Sequence, residues 1–225
     1  MRRFGARVES IGLNASAGIV LSLTPPAQHT LRAGQPVLAL RPGMLEPNRH
    51  VLYPIEMTSS GFTCIAPSDR GWLPGDELDL LGPIGSGFAP PANAQRWLLL
   101  SVEGSPGPLM PLIRIANRRH ASVSLWADDR PSELSPDVEI ATDLRGALDW
   151  ADYLAICTTP SGLPELRAML GPFDGPQRPA CVQTLIMGSM PCGIGGCMAC
   201  AIRVRRGWKL ACLNGPVFPL DTLAW

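Results

Sequence analysis

Cys192-Gly-Ile-Gly-Gly-Cys197-Met-Ala-Cys200, followed after eleven residues by Cys212, constrains this chain more than any other stretch. The spacing C-x4-C-x2-C with a fourth cysteine further on is the plant-type pattern of a [2Fe-2S] cluster. Four thiolates must converge on two irons, so the loop has to wrap a compact inorganic core with its amides turned inward. Gly193, Gly195 and Gly196 allow positive φ and a close approach of backbone to cluster sulfur. A structural zinc site and a disulfide pair are the alternative readings. Zinc modules usually show two separated C-x2-C knuckles, which a glycine-filled gap of four fits poorly. Disulfides need an oxidising compartment.

No address for such a compartment is visible. Met1-Arg-Arg-Phe-Gly has a basic head, but Glu9, Asn14 and several small residues interrupt the stretch after it, so it does not read as a signal peptide. No apolar run approaches the length of a membrane span. The seven cysteines are therefore expected in a reducing cytoplasm, where clustered thiols point to metal. Nineteen basic residues balance nineteen acidic ones, which leaves no field to recruit nucleic acid or an anionic membrane. Apolar content of 46% is enough for a real core, and abundant Pro (24) and Gly (23) favour short strands and turns over long helices.

The expected fold is a multi-domain α+β chain in three units. Residues 1–92 read as an antiparallel β-barrel. Its runs are Arg7–Ile11, Gly18–Leu23, Pro36–Leu40, His50–Tyr53, Gly61–Ile65 and Glu77–Leu81, each bounded by turn chemistry such as Arg41-Pro-Gly43 and Leu73-Pro-Gly75-Asp76. Residues 93–178 alternate strand and helix, as a small α/β domain with a parallel sheet does. Strands are expected at Arg96–Val102, Ser122–Ala127, Val138–Ala141 and Tyr153–Cys157, with helices over Leu109–Arg119 and Ser161–Leu170. Residues 179–225 carry the cluster motif as a third unit.

That order of units resembles the iron–sulfur electron-transfer subunit of the type B dihydroorotate dehydrogenases, within the ferredoxin–NADP reductase superfamily. The resemblance rests on Pro191-Cys-Gly-Ile-Gly-Gly-Cys-Met-Ala-Cys200 and on Trp208-Lys-Leu-Ala-Cys212-Leu-Asn-Gly-Pro-Val-Phe218. It extends to Gly75–Phe88, which looks like the segment ending the family's flavin barrel, and to Leu31-Arg-Ala-Gly-Gln-Pro-Val37. It implies an FAD-holding barrel and a nicotinamide-nucleotide domain. It also implies a [2Fe-2S] cluster on Cys192, Cys197, Cys200 and Cys212 that relays electrons to a flavin-containing, dihydroorotate-oxidising catalytic subunit.

The nucleotide motifs depart from the family pattern. Where the family has Arg-Pro-(apolar)-Ser, this chain has Tyr53-Pro54-Ile55-Glu56, with Arg49 as a substitute cation. Where a Gly-x-Gly-Thr phosphate loop belongs it has Asp69-Arg70-Gly-Trp-Leu. The glycine run after the first α/β strand is replaced by Val102, Glu103, Ser105 and Pro106, and a Cys-Gly-Pro element by Cys157-Thr-Thr-Pro160. A pyrophosphate needs free amides and no nearby carboxylate. The expectation is therefore that FAD is lost or weakly held and nicotinamide binding lost. The chain would be a redox subunit without catalytic residues of its own, working in a hetero-oligomer with a flavoprotein. The alternative is a non-redox assembly subunit with a structural cluster or zinc. His29, His50 and His120 lack metal spacing, Cys64 and Cys181 read as core fillers, and Lys209, the only lysine, lies beside the cluster motif.

Overall fold

The computed structural model describes residues 1–14, 18–25, 31–43, 48–58, 60–66, 71–128, 134–171 and 179–224. Asp69 and Arg70 of the expected phosphate-loop position, and His29, lie outside these residues.

Six strands close the barrel: β1 (Arg2–Asn14), β2 (Gly18–Thr24), β3 (Val37–Leu40), β4 (His50–Met57), β5 (Phe62–Ala66) and β6 (Glu77–Gly82). Their order is β1-β2-β5-β4-β3-β6, every pair antiparallel. Closure depends on the length of β1. Its first half pairs with β6 and its second with β2, so one strand serves both edges. The sequence pattern marks only Arg7–Ile11, because Arg2 and Arg3 break the apolar alternation. Arg3 instead binds Asp79 of β6 at 2.8 Å. Alternate residues Phe62, Cys64 and Ala66 fill the interior with Val8, Leu21, Leu52, Leu78 and Leu80. Pro54 is tolerated within β4 because the ladder slips between Pro54 and Glu56.

The second layer begins with β7 (Arg96–Ser101), buried from Trp97 onward as a two-sided parallel strand requires. Then come α1 (Met110–Arg118), entered through a 3₁₀ turn at Gly107–Leu109, and β8 (Ser122–Ala127). Next are β9 (Val138–Ile140), α2 (Leu144–Trp150), β10 (Tyr153–Thr158), α3 (Leu163–Leu170) and β11 (Cys181–Ile186). Helix α2 is absent from the sequence expectation. Gly146 lies inside it, and its one strong signal is Asp143, whose carboxylate accepts from the Arg145 amide at 3.1 Å. Beyond the cluster loop lie β12 (Ala201–Val204), β13 (Gly207–Leu210), α4 (Ala211–Asn214) and β14 (Val217–Pro219).

The large sheet has the order β14-β11-β10-β7-β8-β9, parallel except for β14. Strands β11 and β14, expected with the cluster unit, thus hydrogen-bond into the α/β sheet on either side of the cluster segment. One hydrophobic core runs from the sheet (Trp97, Leu99, Ile156, Leu185) to the cluster segment (Cys200, Ile202, Phe218) and into the barrel wall (Leu38, Ile84). Among the described residues no helix is long and apolar enough to cross a membrane.

Candidate iron–sulfur centre

The four cysteines of the motif come together as two pairs. Cys192 and Cys197 face each other across the loop. Cys200 and Cys212 stand with their sulfurs 3.3 Å apart. A hairpin makes the second pair. Strands β12 and β13 run antiparallel with Ala201 opposite Leu210, and the Ala211 amide donates to the Cys200 carbonyl at 2.9 Å. Residues on either side of an eleven-residue gap therefore meet at the hairpin's open end.

The loop turns its amides onto the sulfurs. The amides of Ile194, Cys197 and Gly196 donate to Cys192, and they bring its thiol down to about 6. Burial, with Cys200 alongside, pushes Cys212 up to about 12, against the Gly195 amide that donates to it. The backbone reaches this shape through left-handed turns at Gly193 (φ 66°) and Gly195 (φ 80°). Both are also tightly packed. A Cβ on Gly193 would lie 2.5 Å from Leu38 Cδ1, and one on Gly195 would lie 2.5 Å from Leu213 Cδ1. All seven cysteines are free thiols. Two thiol pairs set among amide donors fit a binuclear cluster, in which each iron takes two thiolates and the amides face the sulfurs. Among the described residues no three metal-ligating side chains are grouped for a single ion.

The centre is seated on the barrel by three of the segments that carried the family resemblance. Ser86 donates through its amide to Gly215, and through its hydroxyl to the carbonyls of Gly215 and Val217, both at 3.2 Å. A Cβ on Gly85 (φ 60°) would fall 1.8 Å from the Gly215 carbonyl oxygen. Only glycine allows this approach. From the other side Gln35 Nε2 donates to the Gly85 carbonyl at 2.7 Å, and the Ile84 and Phe88 amides donate to Pro36 and Ala33.

The residues considered for a nucleotide are engaged elsewhere. Arg49 donates to the Asp79 carboxylate at 2.5 Å, to the Asp79 carbonyl at 2.7 Å and to the Leu38 carbonyl at 3.5 Å, all within the barrel wall. Burial works to raise Asp79, but Arg3 and Arg49 outweigh it and hold the carboxyl below the usual range. Tyr53 is buried beside Cys157 and the Gly188 amide, and burial raises its phenol further. Glu56 is bridged to Arg114 of α1, which also donates to the Met57 carbonyl at 2.8 Å. Gly107 lies so close to Ile55 and Ile65 that a Cβ there would clash with Ile65 at 2.3 Å.

In the sheet, strand order reverses between β7 and β10, where open α/β folds receive a dinucleotide. Glu103, just past β7, has its carboxylate there and accepts from Thr159 (3.0 Å) and Ser161 (2.9 Å) just past β10. Its φ of 50° keeps the left-handed backbone that a glycine would take without strain. Cys64 is fully buried and Cys181 half-buried, both with thiols raised by burial.

Residues 188–224 match the model of the iron–sulfur cluster binding domain of dihydroorotate dehydrogenase B. Relatives over a longer span carry the name dihydroorotate dehydrogenase B (NAD(+)), electron transfer subunit. The protein from Desulforamulus reducens is 26% identical over 181 residues, 68% of this chain and 67% of the relative. That from Geobacillus thermodenitrificans is 32% identical over 171 residues, 64% of each chain. Over about two thirds of its length this chain is similar in sequence to the dihydroorotate dehydrogenase B electron-transfer subunits. The alignments span about two thirds of those relatives' length. Among solved structures, the NADH-dependent reduced ferredoxin–NADP oxidoreductase superposes with a TM-score of 0.75 at 16% identity, covering 98% of this chain and 90% of that one. The fold is thus of the ferredoxin reductase kind. Its C-terminal segment is similar to an iron–sulfur cluster binding domain.

Proposed function

We propose that this chain is an electron-transfer subunit. It would carry one [2Fe-2S] cluster on Cys192, Cys197, Cys200 and Cys212 and exchange electrons with the flavin of a partner subunit akin to dihydroorotate dehydrogenase. The observation that carries this is the arrangement of the four thiols as two pairs inside an amide-lined loop. When bound, the cluster supplies one-electron chemistry. The chain's own residues hold it, screen its charge with amides and anchor the loop to the barrel through Ser86 and Gly85. Free thiols throughout suit a reducing compartment, the cytoplasm. Functionally the chain divides into a barrel over residues 1–92, an α/β unit from residue 93, and a cluster unit that shares its flanking strands with that sheet.

Within that reading the barrel holds FAD weakly or not at all, and the α/β unit does not take a nicotinamide nucleotide. Support comes from Arg49, spent on Asp79, and from Glu103, whose carboxylate sits at the crevice a pyrophosphate would need. An unpaired diphosphate beside a carboxylate would cost several kcal/mol.

Anaerobically purified protein should contain about two irons and two labile sulfides per chain. Stoichiometric zinc without sulfide would overturn the cluster assignment. Tight one-to-one FAD after reconstitution, with rapid reduction by NADH or NADPH, would overturn the assignment of the other two units.

A further inference from the structure

The surface around the cluster loop differs from the rest of the molecule in two independent ways. Seven large hydrophobic side chains are conspicuously exposed among the described residues, and four of them belong here: Ile194 (58%), Met198 (58%), Trp208 (66%) and Leu213 (56%). Leu213 packs over Gly195, beside Leu210, so the apolar rim borders the cluster loop itself. Water-exposed apolar groups concentrated around one site mark a surface that is covered in the working assembly.

The second difference is charge. The chain as a whole is neutral, yet residues 188–224 hold Arg203, Arg205, Arg206 and Lys209 against a single Asp221. All four cations lie on the β12–β13 hairpin and are exposed, and Ile202 and Val204 turn inward to anchor it. None of the four forms an ion pair among the described residues, whereas Arg3, Arg41, Arg49, Arg96 and Arg114 all do. Arg203 stands directly opposite Trp208 across the ladder, and the hairpin's open end is the Cys200–Cys212 pair. Unspent positive charge is therefore built onto the element that delivers two of the four thiols.

We propose that this hairpin and the apolar rim form the docking surface for an acidic face of a flavin-bearing protein subunit. The inference rests on the electron-relay reading and adds the footprint and the partner's charge to it. An apolar centre over the redox group and a charged border make a surface that excludes water where the electron crosses and steers the encounter from a distance. The cations border an apolar centre beside the thiol pair, the arrangement that an acidic protein face complements.

The test uses the full cluster-loaded chain, tagged and purified anaerobically from its native host. The flavoprotein that co-elutes is separated at high salt and then rebound. Rebinding should weaken steeply with ionic strength, and Arg203→Glu/Arg205→Glu/Arg206→Glu should slow association about tenfold or more while iron and sulfide are retained. Should the reversal disturb the hairpin, Arg205→Gln/Arg206→Gln at its turn gives a smaller loss in the same direction. Unchanged rebinding and unchanged salt dependence in both variants overturn the docking surface and leave the cluster assignment standing. Recovery of no flavoprotein, or self-association of the chain in its place, also overturns it. Absence of labile sulfide in the parent protein counts instead against the cluster assignment.

Discussion

The Glu103 carboxylate accepts a hydrogen bond from the Thr159 hydroxyl at 3.0 Å, tying the end of β7 to the end of β10 where the sheet's strand order reverses. A glycine backbone conformation has been retained there, and a carboxylate put on it. At the crevice that receives phosphate in folds of this kind stands a carboxylate that accepts hydrogen bonds from two hydroxyls.

Glu103→Gly removes about 1 kcal/mol of left-handed strain and also removes hydrogen bonds of similar worth at an exposed site. Its stability in urea should therefore stay within about 1 kcal/mol of the parent. The parent should not bind NADH in a fluorescence titration. Binding in the micromolar range by the parent would contradict the loss of nicotinamide binding.

Cys200→Ala removes one sulfur of the buried pair and, on the proposed ligation, one of the four thiolates. The purified variant should lose its labile sulfide and visible absorption. Cys64→Ala, deep in the barrel interior, should keep both and lose only stability, by about 1 kcal/mol for a small buried group.

Gly85→Ala asks a methyl group to share space with the Gly215 carbonyl oxygen and forces an alanine to φ 60°. A loss of more than about 3 kcal/mol is expected. It should appear as a large drop in melting temperature together with poor cluster retention. Ser86→Ala, which keeps the backbone contact and deletes the hydroxyl, should cost only about 1 kcal/mol.

Asp79 links pH to barrel stability. Its folded pKa lies below the unfolded value, so its contribution is fully present above about pH 4 and is lost as pH falls through the folded pKa. Asp79→Asn should therefore be less stable than the parent at neutral pH, and the gap should close in acid. A denaturation series from neutral pH to about pH 2 measures it. A gap that stays constant would show that Asp79 carries no charge-dependent stability.

Much of the architecture was legible from local signals. Turn chemistry bounded β2, β3, β5 and β6 to within one residue, because each short strand must end where Gly, Pro or Asp bends the chain, whereas β4 runs on past the expected Tyr53 to Met57. Less legible were the pieces whose partners are far away in sequence. The first half of β1 becomes a strand because β6 lies beside it and Asp79 meets Arg3. The short α2 shows only its Asp143 cap.

The sequence by itself singled out the four candidate ligand cysteines and the glycines between them, since a thiol loop around an inorganic core is specified by spacing over a short stretch of chain. It also marked Tyr53, Glu56, Glu103 and Pro106 as poor company for a phosphate. Only the tertiary structure decided where the surviving charges went. Arg49 is four residues from Tyr53 and on sequence alone free to cradle a diphosphate, yet β6 presents Asp79 to it. Arg205 and Arg206 form no ion pair among the described residues, and their charge stays exposed at the hairpin turn. Strand pairing over dozens of residues sets which carboxylate faces which guanidinium, and local spacing carries no record of it.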